Sequence, residues 1–171
     1  MNLSGTGNES DCADMYALCR EREFSDIYER YAEDIYRLCY SFMKNHMDAE
    51  DAVQETFLKY YHSDKPFESD KHRKAWLIVT ASNYCKDILK QHWYKRQSME
   101  QLPEAADVKE PFVDEMMELV LNLPAKYKLA VYLYYYEGYD SREIAHLLHK
   151  PDSTIRTYLQ KARKLLKQEL S

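Results

Sequence analysis

Residues 141–166 read SREIAHLLHKPDSTIRTYLQKARKLL and carry two helical periods in succession. Ile144, Ala145 and Leu148 fall on one side of a first short helix, and Ile155, Leu159, Ala162 and Leu166 on one stripe of a second. Pro151 lies between the two periods, where the chain must turn. Two short amphipathic helices and a tight turn predict a helix-turn-helix. Opposite the second stripe stand Ser153, Arg156, Thr157, Gln160, Lys161 and Lys164. Such side chains read base edges or hold phosphates in a major groove. Thr154 at the helix start and Arg142 on the preceding helix complete the candidate set. A Lys/Arg face is also what a merely solvated helix shows. The small Ala145, where two helices must approach closely, favours DNA.

Charge sharpens the contrast. The chain has 171 residues, with 24 Lys and Arg against 29 Asp and Glu, a net of −5. From Ser141 to Ser171 there are seven basic residues against three acidic ones, a net of +4. A second basic stretch, from Lys71 to Gln97, has seven against the single Asp87, a net of +6, with Trp76, Tyr84, Trp93 and Tyr94 mixed in. Between them, Met99 to Glu118 holds seven acids and one Lys. Such segregation points to an anionic partner for two separate parts of the molecule.

Three Gly and five Pro favour long helices over many short strands. Phe24, Ile27, Tyr28, Tyr31, Ile35, Leu38, Cys39 and Phe42 predict an amphipathic helix over 24–43. A second helix, DAEDAVQETFLKYY, starts at a capping Asp48 and buries Ala52, Val53, Phe57 and Tyr60 or Tyr61. Its other face shows Asp48, Glu50, Asp51, Gln54 and Glu55. A loop with Pro66 follows, then a helix from Arg73 to about Tyr94 with Leu77, Ala81, Tyr84, Cys85 and Ile88 on one side. Trp76 reads as core, since it precedes LIV, and so does Tyr84. Residues 96–112, with Pro103 and Pro111, read as a flexible acidic linker between two small all-α domains. Beyond it, Val113, Met116, Met117, Val120 and Leu121 form a short helix, Pro124 suits the first turn of the next, and Gly138 caps that helix.

Other function classes find little support. No apolar run of 18 residues predicts a membrane span, and the start MNLSGTGNESDC lacks the pattern of a secretory signal. The four Cys form no CxxC pair, so Cys39 and Cys85 are expected to be free buried thiols in a reducing cytosol. Glu143, His146 and His149 sweep around a helix rather than converging on a metal, so no metal or cofactor is expected.

From about Phe24 to Leu170 the sequence resembles the extracytoplasmic-function group of bacterial RNA polymerase sigma factors. In the first half the resemblance rests on DAEDAVQETFLKYY and KAWLIVTASNYCKDILK, and in the second on LPAKYKLAVYLYYYEGYDSREIAHLLH and STIRTYLQKARKLL. Four motifs occur in the family's order and spacing. Lys128 and Lys90 stand where the family has Arg, and Tyr158 and Lys161 where Arg is common. Pro151, Asp152 and Ser153 replace a stretch that often has Gly.

The resemblance implies an N-terminal extension over 1–23, a sigma-two domain over 24–95, the linker, and a sigma-four domain over 113–171. It implies a cytoplasmic, non-enzymatic transcription initiation factor. Asp48, Glu50, Asp51, Gln54 and Glu55 match the docking surface for core RNA polymerase. The loop with Phe67, together with Lys71, Arg73, Asn83, Lys86 and Lys90, matches the module that recognises and opens the promoter minus-10 element. Arg142, Ser153, Thr154, Arg156, Thr157, Gln160, Lys161 and Lys164 would bind the minus-35 element. Family members are commonly held inactive by an anti-sigma factor, which makes one an expected partner beside polymerase and promoter DNA. The seventeen linker residues reach at most roughly 55–60 Å, against about 34 Å for one turn of B-DNA, so the two domains can sit on separate promoter elements. A helix-turn-helix regulator that never joins polymerase would leave DAEDAVQETF without a role.

Overall fold

The computed structural model describes residues 8–96 and 115–171. Among them are seven helices: α1 (Asn8–Met43), α2 (His46–Tyr61), α3 (Asp70–Arg96), α4 (Glu115–Leu121), α5 (Ala125–Tyr135), α6 (Ser141–Leu148) and α7 (Asp152–Glu169). The all-α expectation holds. Most of the linker and Val113 lie outside the described residues.

Several boundaries differ from those expected, each for a local reason. α1 runs for 36 residues from Asn8, where the periodicity predicts a helix over 24–43. No Gly or Pro interrupts it, and Ala, Leu, Met, Glu and Arg supply helix propensity. Contacts divide the chain within this helix, into Met1–Glu33 and Asp34–Ser171. α2 begins two residues before Asp48. Its cap is Asn45, which is extended and accepts from the Asp48 backbone N–H at 3.1 Å. Asp48 serves instead as an acid in the first turn, where the helix dipole favours it. α3 starts at Asp70, after Ser69 Oγ accepts from the His72 N–H at 3.1 Å. Pro124 is the N-cap of α5, and α5 ends at Tyr135 rather than at Gly138. Gly138 lies in the following turn with φ +70, a left-handed value that Gly adopts without strain.

In Asp34–Ser171 the first set of buried side chains is Ile35, Leu38, Cys39 and Phe42 of α1, Ala52, Val53 and Phe57 of α2, and Leu77, Ile78, Ala81 and Cys85 of α3. Cys39 and Cys85 are buried free thiols, as expected, whereas Cys12 and Cys19 are exposed. A hydrogen bond between the buried pair, together with burial, holds the Cys39 thiol protonated. α2 packs on α3.

The second set joins α4 to α7. Val120, Leu121, Leu129, Val131, Leu133, Ile144, Ile155, Leu159 and Ala162 are buried. α7 packs on both α5 and α6. The predicted stripe is correct apart from its ends: Leu148 and Leu166 are half-buried. Trp76 and Tyr84, expected in the core, are half-buried as well. α6 begins with a capping box, in which Asp140 accepts from the Arg142 and Glu143 N–H groups while Glu143 accepts from the Asp140 N–H. It ends on His149 at φ 52 and ψ 47, with the Lys150 N–H reaching back to Ala145 O at 2.9 Å. Pro151 then stands as the N-cap of α7.

Candidate nucleic-acid and protein interface

The helix-turn-helix presents its predicted face to solvent. Ser153, Arg156, Thr157, Gln160, Lys161 and Lys164 of α7 are exposed, and so is Arg142 of α6; Thr154 is half-buried. Burial of Ile155, Leu159 and Ala162 on the opposite stripe sets this rotation. Two contacts restrict the face. The Thr157 hydroxyl donates to Ser153 O at 2.9 Å, which leaves its oxygen free only to accept. Arg156 Nη2 lies 2.5 Å from Asp152 Oδ2. Asp152 also accepts from Ser141 Oγ at 2.7 Å, so one carboxylate ties the first residue of α6 to an arginine of α7. Sequence reasoning left Asp152 out of the site. The Asp–Arg spacing of four in DSTIR was the available signal. Arg163 turns away from the groove face and donates through Nε to Tyr135 OH at 2.8 Å. Tyr158 packs edge-on against Tyr127, with centroids 5.5 Å apart.

On α2, Glu50, Asp51 and Gln54 are exposed, and Asp48 and Glu55 half-buried, within the first turns of one helix. The field of this cluster reaches α3. The Tyr84 hydroxyl is pushed above its ordinary range by burial, then by Glu55, Asp51 and Asp48. Lys59 lies 5.4 Å over the same ring.

The residues expected at the minus-10 element are brought together only in part. Phe67 sits in an aromatic cluster, with centroids 5.8 Å from Tyr60, 5.8 Å from Trp76 and 5.7 Å from His72. The Arg73 guanidinium is 5.6 Å from the Phe67 ring and pairs with Asp70 at 2.9 Å. Phe67 and Arg73 therefore form one group at the amino end of α3, whereas the nearby Lys71 directs its ammonium to the Tyr139 ring. Asn83 is exposed more than two turns further along. Lys90, exposed and 3.9 Å from Asp87, lies about 28 Å along the axis from Lys71. Lys86 is half-buried, and its ammonium is pushed below the ordinary lysine range by burial, then by Lys150 and Lys90.

The amino end of α3 also meets the turn before α6, a contact no sequence pattern announced. Tyr139 OH donates to Lys71 O at 2.8 Å, and Lys71 Nζ lies 4.1 Å over the Tyr139 ring and 3.5 Å from Gly138 O. Lys74 Nζ bridges Asp34 at 2.9 Å and Glu137 at 3.0 Å. Burial opposes the Lys74 charge, but the two carboxylates more than offset it and hold the ammonium above its usual range. Nearby, the buried Lys128 of α5 donates to Ser41 O at 2.9 Å and to Ser41 Oγ at 3.3 Å, and lies 4.4 Å from the Phe42 ring centre. Burial and the neighbouring Lys44 push Lys128 down to about 7. Lys44 Nζ donates to Asn122 Oδ1 at 2.9 Å.

The family model for sigma-70 region 2 matches residues 27–94, and that for sigma-70 region 4 matches residues 114–166. The chain is 28% identical to the extracytoplasmic-function sigma factor SigW of Bacillus subtilis, over 86% of this chain and 88% of that one. It is 27% identical to SigM of the same organism, over 83% and 91%. The chain belongs to the extracytoplasmic-function sigma factors. As a sigma factor it acts in transcription initiation and directs RNA polymerase to promoters. The sigma factor shares its fold with RpoE of Bartonella quintana, solved with the anti-sigma factor NepR, at a TM-score of 0.72 and 21% identity over 87% of this chain and 97% of that one. CnrH, solved with the cytosolic domain of CnrY, gives a TM-score of 0.55 at 19% identity, covering 88% of each chain. Among the described residues of the sigma factor, no helix is long and apolar enough to cross a membrane, and no group of three or more His, Cys, Asp and Glu is placed to hold a metal ion.

Proposed function

We propose that the sigma factor divides promoter recognition between its two matched regions and docks on polymerase through α2. The exposed acids Glu50 and Asp51, with Gln54 and the half-buried Asp48 and Glu55, suit a basic partner and speed encounter with it. The amino end of α3, with Phe67, Lys71 and Arg73, engages and opens the minus-10 element, helped further along by Asn83, Lys86 and Lys90. Base–aromatic stacking is worth about 1–3 kcal/mol per base, and cations beside the rings hold the backbone. α7 enters the minus-35 major groove through Arg156, Thr157, Gln160 and Lys161. Ser153, Thr154, Lys164 and Arg142 hold its flanks.

One observation supports this reading above the rest: the groove-facing residues of α7 are exposed while Ile155, Leu159 and Ala162 behind them are buried. The protein works without covalent chemistry or a cofactor, in the cytoplasm, and an anti-sigma factor is its natural antagonist, as NepR is the solved partner of RpoE. Permanganate footprinting on a double-stranded promoter tests the minus-10 assignment. Asn83→Ala, or deletion of Phe67–Ser69, is expected to abolish thymine reactivity at the start site while closed-complex binding persists. Equal reactivity of variant and parent removes the loop from promoter opening.

A further inference from the structure

Two rings in the basic stretch 71–97, Trp93 and Tyr94, take part neither in the core nor in the aromatic group at Phe67. Trp93 is 57% and Tyr94 67% exposed, and the two rings meet edge to face with centroids 5.3 Å apart. Large rings held side by side in water forgo the burial that would stabilise the fold, and a ligand with flat apolar faces can supply it.

Their place on α3 narrows the choice of ligand. Asn83, Asp87, Lys90 and Tyr94 follow one another at spacings of four, three and four, which puts them on one face of the helix, with Lys86 and Trp93 along its edge. Leu77, Ile78, Ala81 and Cys85 are buried on the opposite side, so this face is turned to solvent. At 1.5 Å per residue it runs about 16 Å from Asn83 to Tyr94, room for a few nucleotides. Asn83, Lys86 and Lys90 thus share a surface that the aromatic pair completes. Lys90 stands one turn before both rings, and its distance of 3.9 Å from Asp87 is a loose pairing between two open side chains, which a phosphate can replace. A duplex offers edges and phosphates along its grooves, and base faces only at an end. An unpaired strand offers the face of every base to stack on.

We propose that the carboxy half of α3 is a second binding track for unpaired promoter DNA, with Trp93 and Tyr94 as its stacking pair and Lys90 as its phosphate contact. This rests on the reading of α3 as the minus-10 module and extends it. Lys71 and Trp93 lie about 33 Å apart along the axis. A single helix then holds the strand at two places, and the stretch between them stays apart from its complement.

The test uses the full chain and a labelled, mixed-sequence single DNA strand at low salt, with binding read by anisotropy. Trp93→Ala and Tyr94→Ala are each expected to weaken binding at least about fivefold while circular dichroism and the urea midpoint stay unchanged, since both rings are exposed. The effect is expected to vanish on a strand of abasic sites, which keeps the phosphates and removes the faces. Trp76→Phe leaves Trp93 as the only tryptophan, and its fluorescence is expected to be quenched as the strand is added. No quenching, or a Trp93→Ala, Tyr94→Ala protein that binds as the parent does while Arg73→Ala still weakens binding, overturns the second track and leaves the minus-10 reading standing. If Arg73→Ala and deletion of Phe67–Ser69 also leave binding unchanged, the minus-10 reading fails and the track falls with it. A double variant that binds the strand normally but loses affinity for core polymerase assigns the pair to protein docking and likewise overturns the track.

Discussion

The Ser141 hydroxyl donates to the Asp152 carboxylate at 2.7 Å, and this bond joins the first residues of the two helices of the helix-turn-helix. It spans eleven positions in sequence and holds the start of α7 against the start of α6. Asp152 passes that constraint to Arg156 through its second oxygen. Ser141→Ala removes the donor without disturbing the Asp140 cap. Because the pair is part-buried and the acceptor is charged, the expected loss is about 1 kcal/mol. Urea denaturation measures it; an unchanged midpoint would show that water replaces the bond.

Arg156 and Lys164 share the exposed face of α7 but are expected to act differently. Arg156 lies in the N-terminal part of the helix, which reaches deepest into the groove in this motif. Arg156→Ala is expected to relax preference at one minus-35 position by about 1–3 kcal/mol, consistent with a two-pronged bond to guanine. Lys164→Ala is expected to weaken all sequences alike and to lower the salt slope by about one. Selection from randomised minus-35 sequences separates the two. An Arg156→Ala protein that returns the parental consensus at full stringency would reduce Arg156 to a phosphate clamp.

Asp51 and Glu55 lie one turn apart on α2. Reversing both to Lys is expected to weaken binding to core polymerase at least about tenfold while helicity stays unchanged. Titrated pull-down and circular dichroism report the two quantities. Parental affinity in the double variant would move the docking surface elsewhere.

Lys128 gives a pH dependence with a definite sign. Its ordinary value is 10.5, and burial brings it down to about 7 in the folded chain. Between those values the unfolded chain keeps a proton that the folded chain releases, so stability rises with pH across the window. Below about 7 both states are protonated and the contribution is constant. Cys39, raised from its ordinary 9.0 by the Cys85 hydrogen bond and burial, and Tyr139, which burial and Glu137 push up to about 12, both oppose the trend above their ordinary values, so the rise is cleanest from pH 7 to about 8.5. Lys128→Met is expected to reduce the slope to the part that Lys86, also lowered by burial, contributes. Urea midpoints at a series of pH values decide; an identical slope in the variant would assign the rise to other groups.

Helix periodicity made most of this molecule legible. The stripe Ile155–Leu159–Ala162 is a local property of one helix, so burial on one side and the groove face on the other both follow from spacing. Caps were less accessible, because Asn45 and Asp48 are both good capping residues and only the backbone conformation distinguishes them. Glu137, Tyr139 and Lys128 could not be assigned at all. Their partners Lys74, Lys71 and Ser41 are 63 to 87 positions away, and no period connects residues across such a distance. In the sequence Lys128 stands out only as a lysine in place of an arginine. Its burial depends on Phe42 and Ser41 of another helix.

The left-handed His149 has a consequence for how this protein can change. A residue with a Cβ at φ 52 costs about 1–2 kcal/mol relative to a relaxed backbone, and Gly removes most of that cost. The corner before α7 therefore holds a reserve that one substitution releases. Groove-face substitutions on α7 that cost about 1 kcal/mol of stability can be offset at His149, outside the proposed DNA contacts. The sigma factor's DNA preference can in this way diversify while its folded population stays constant.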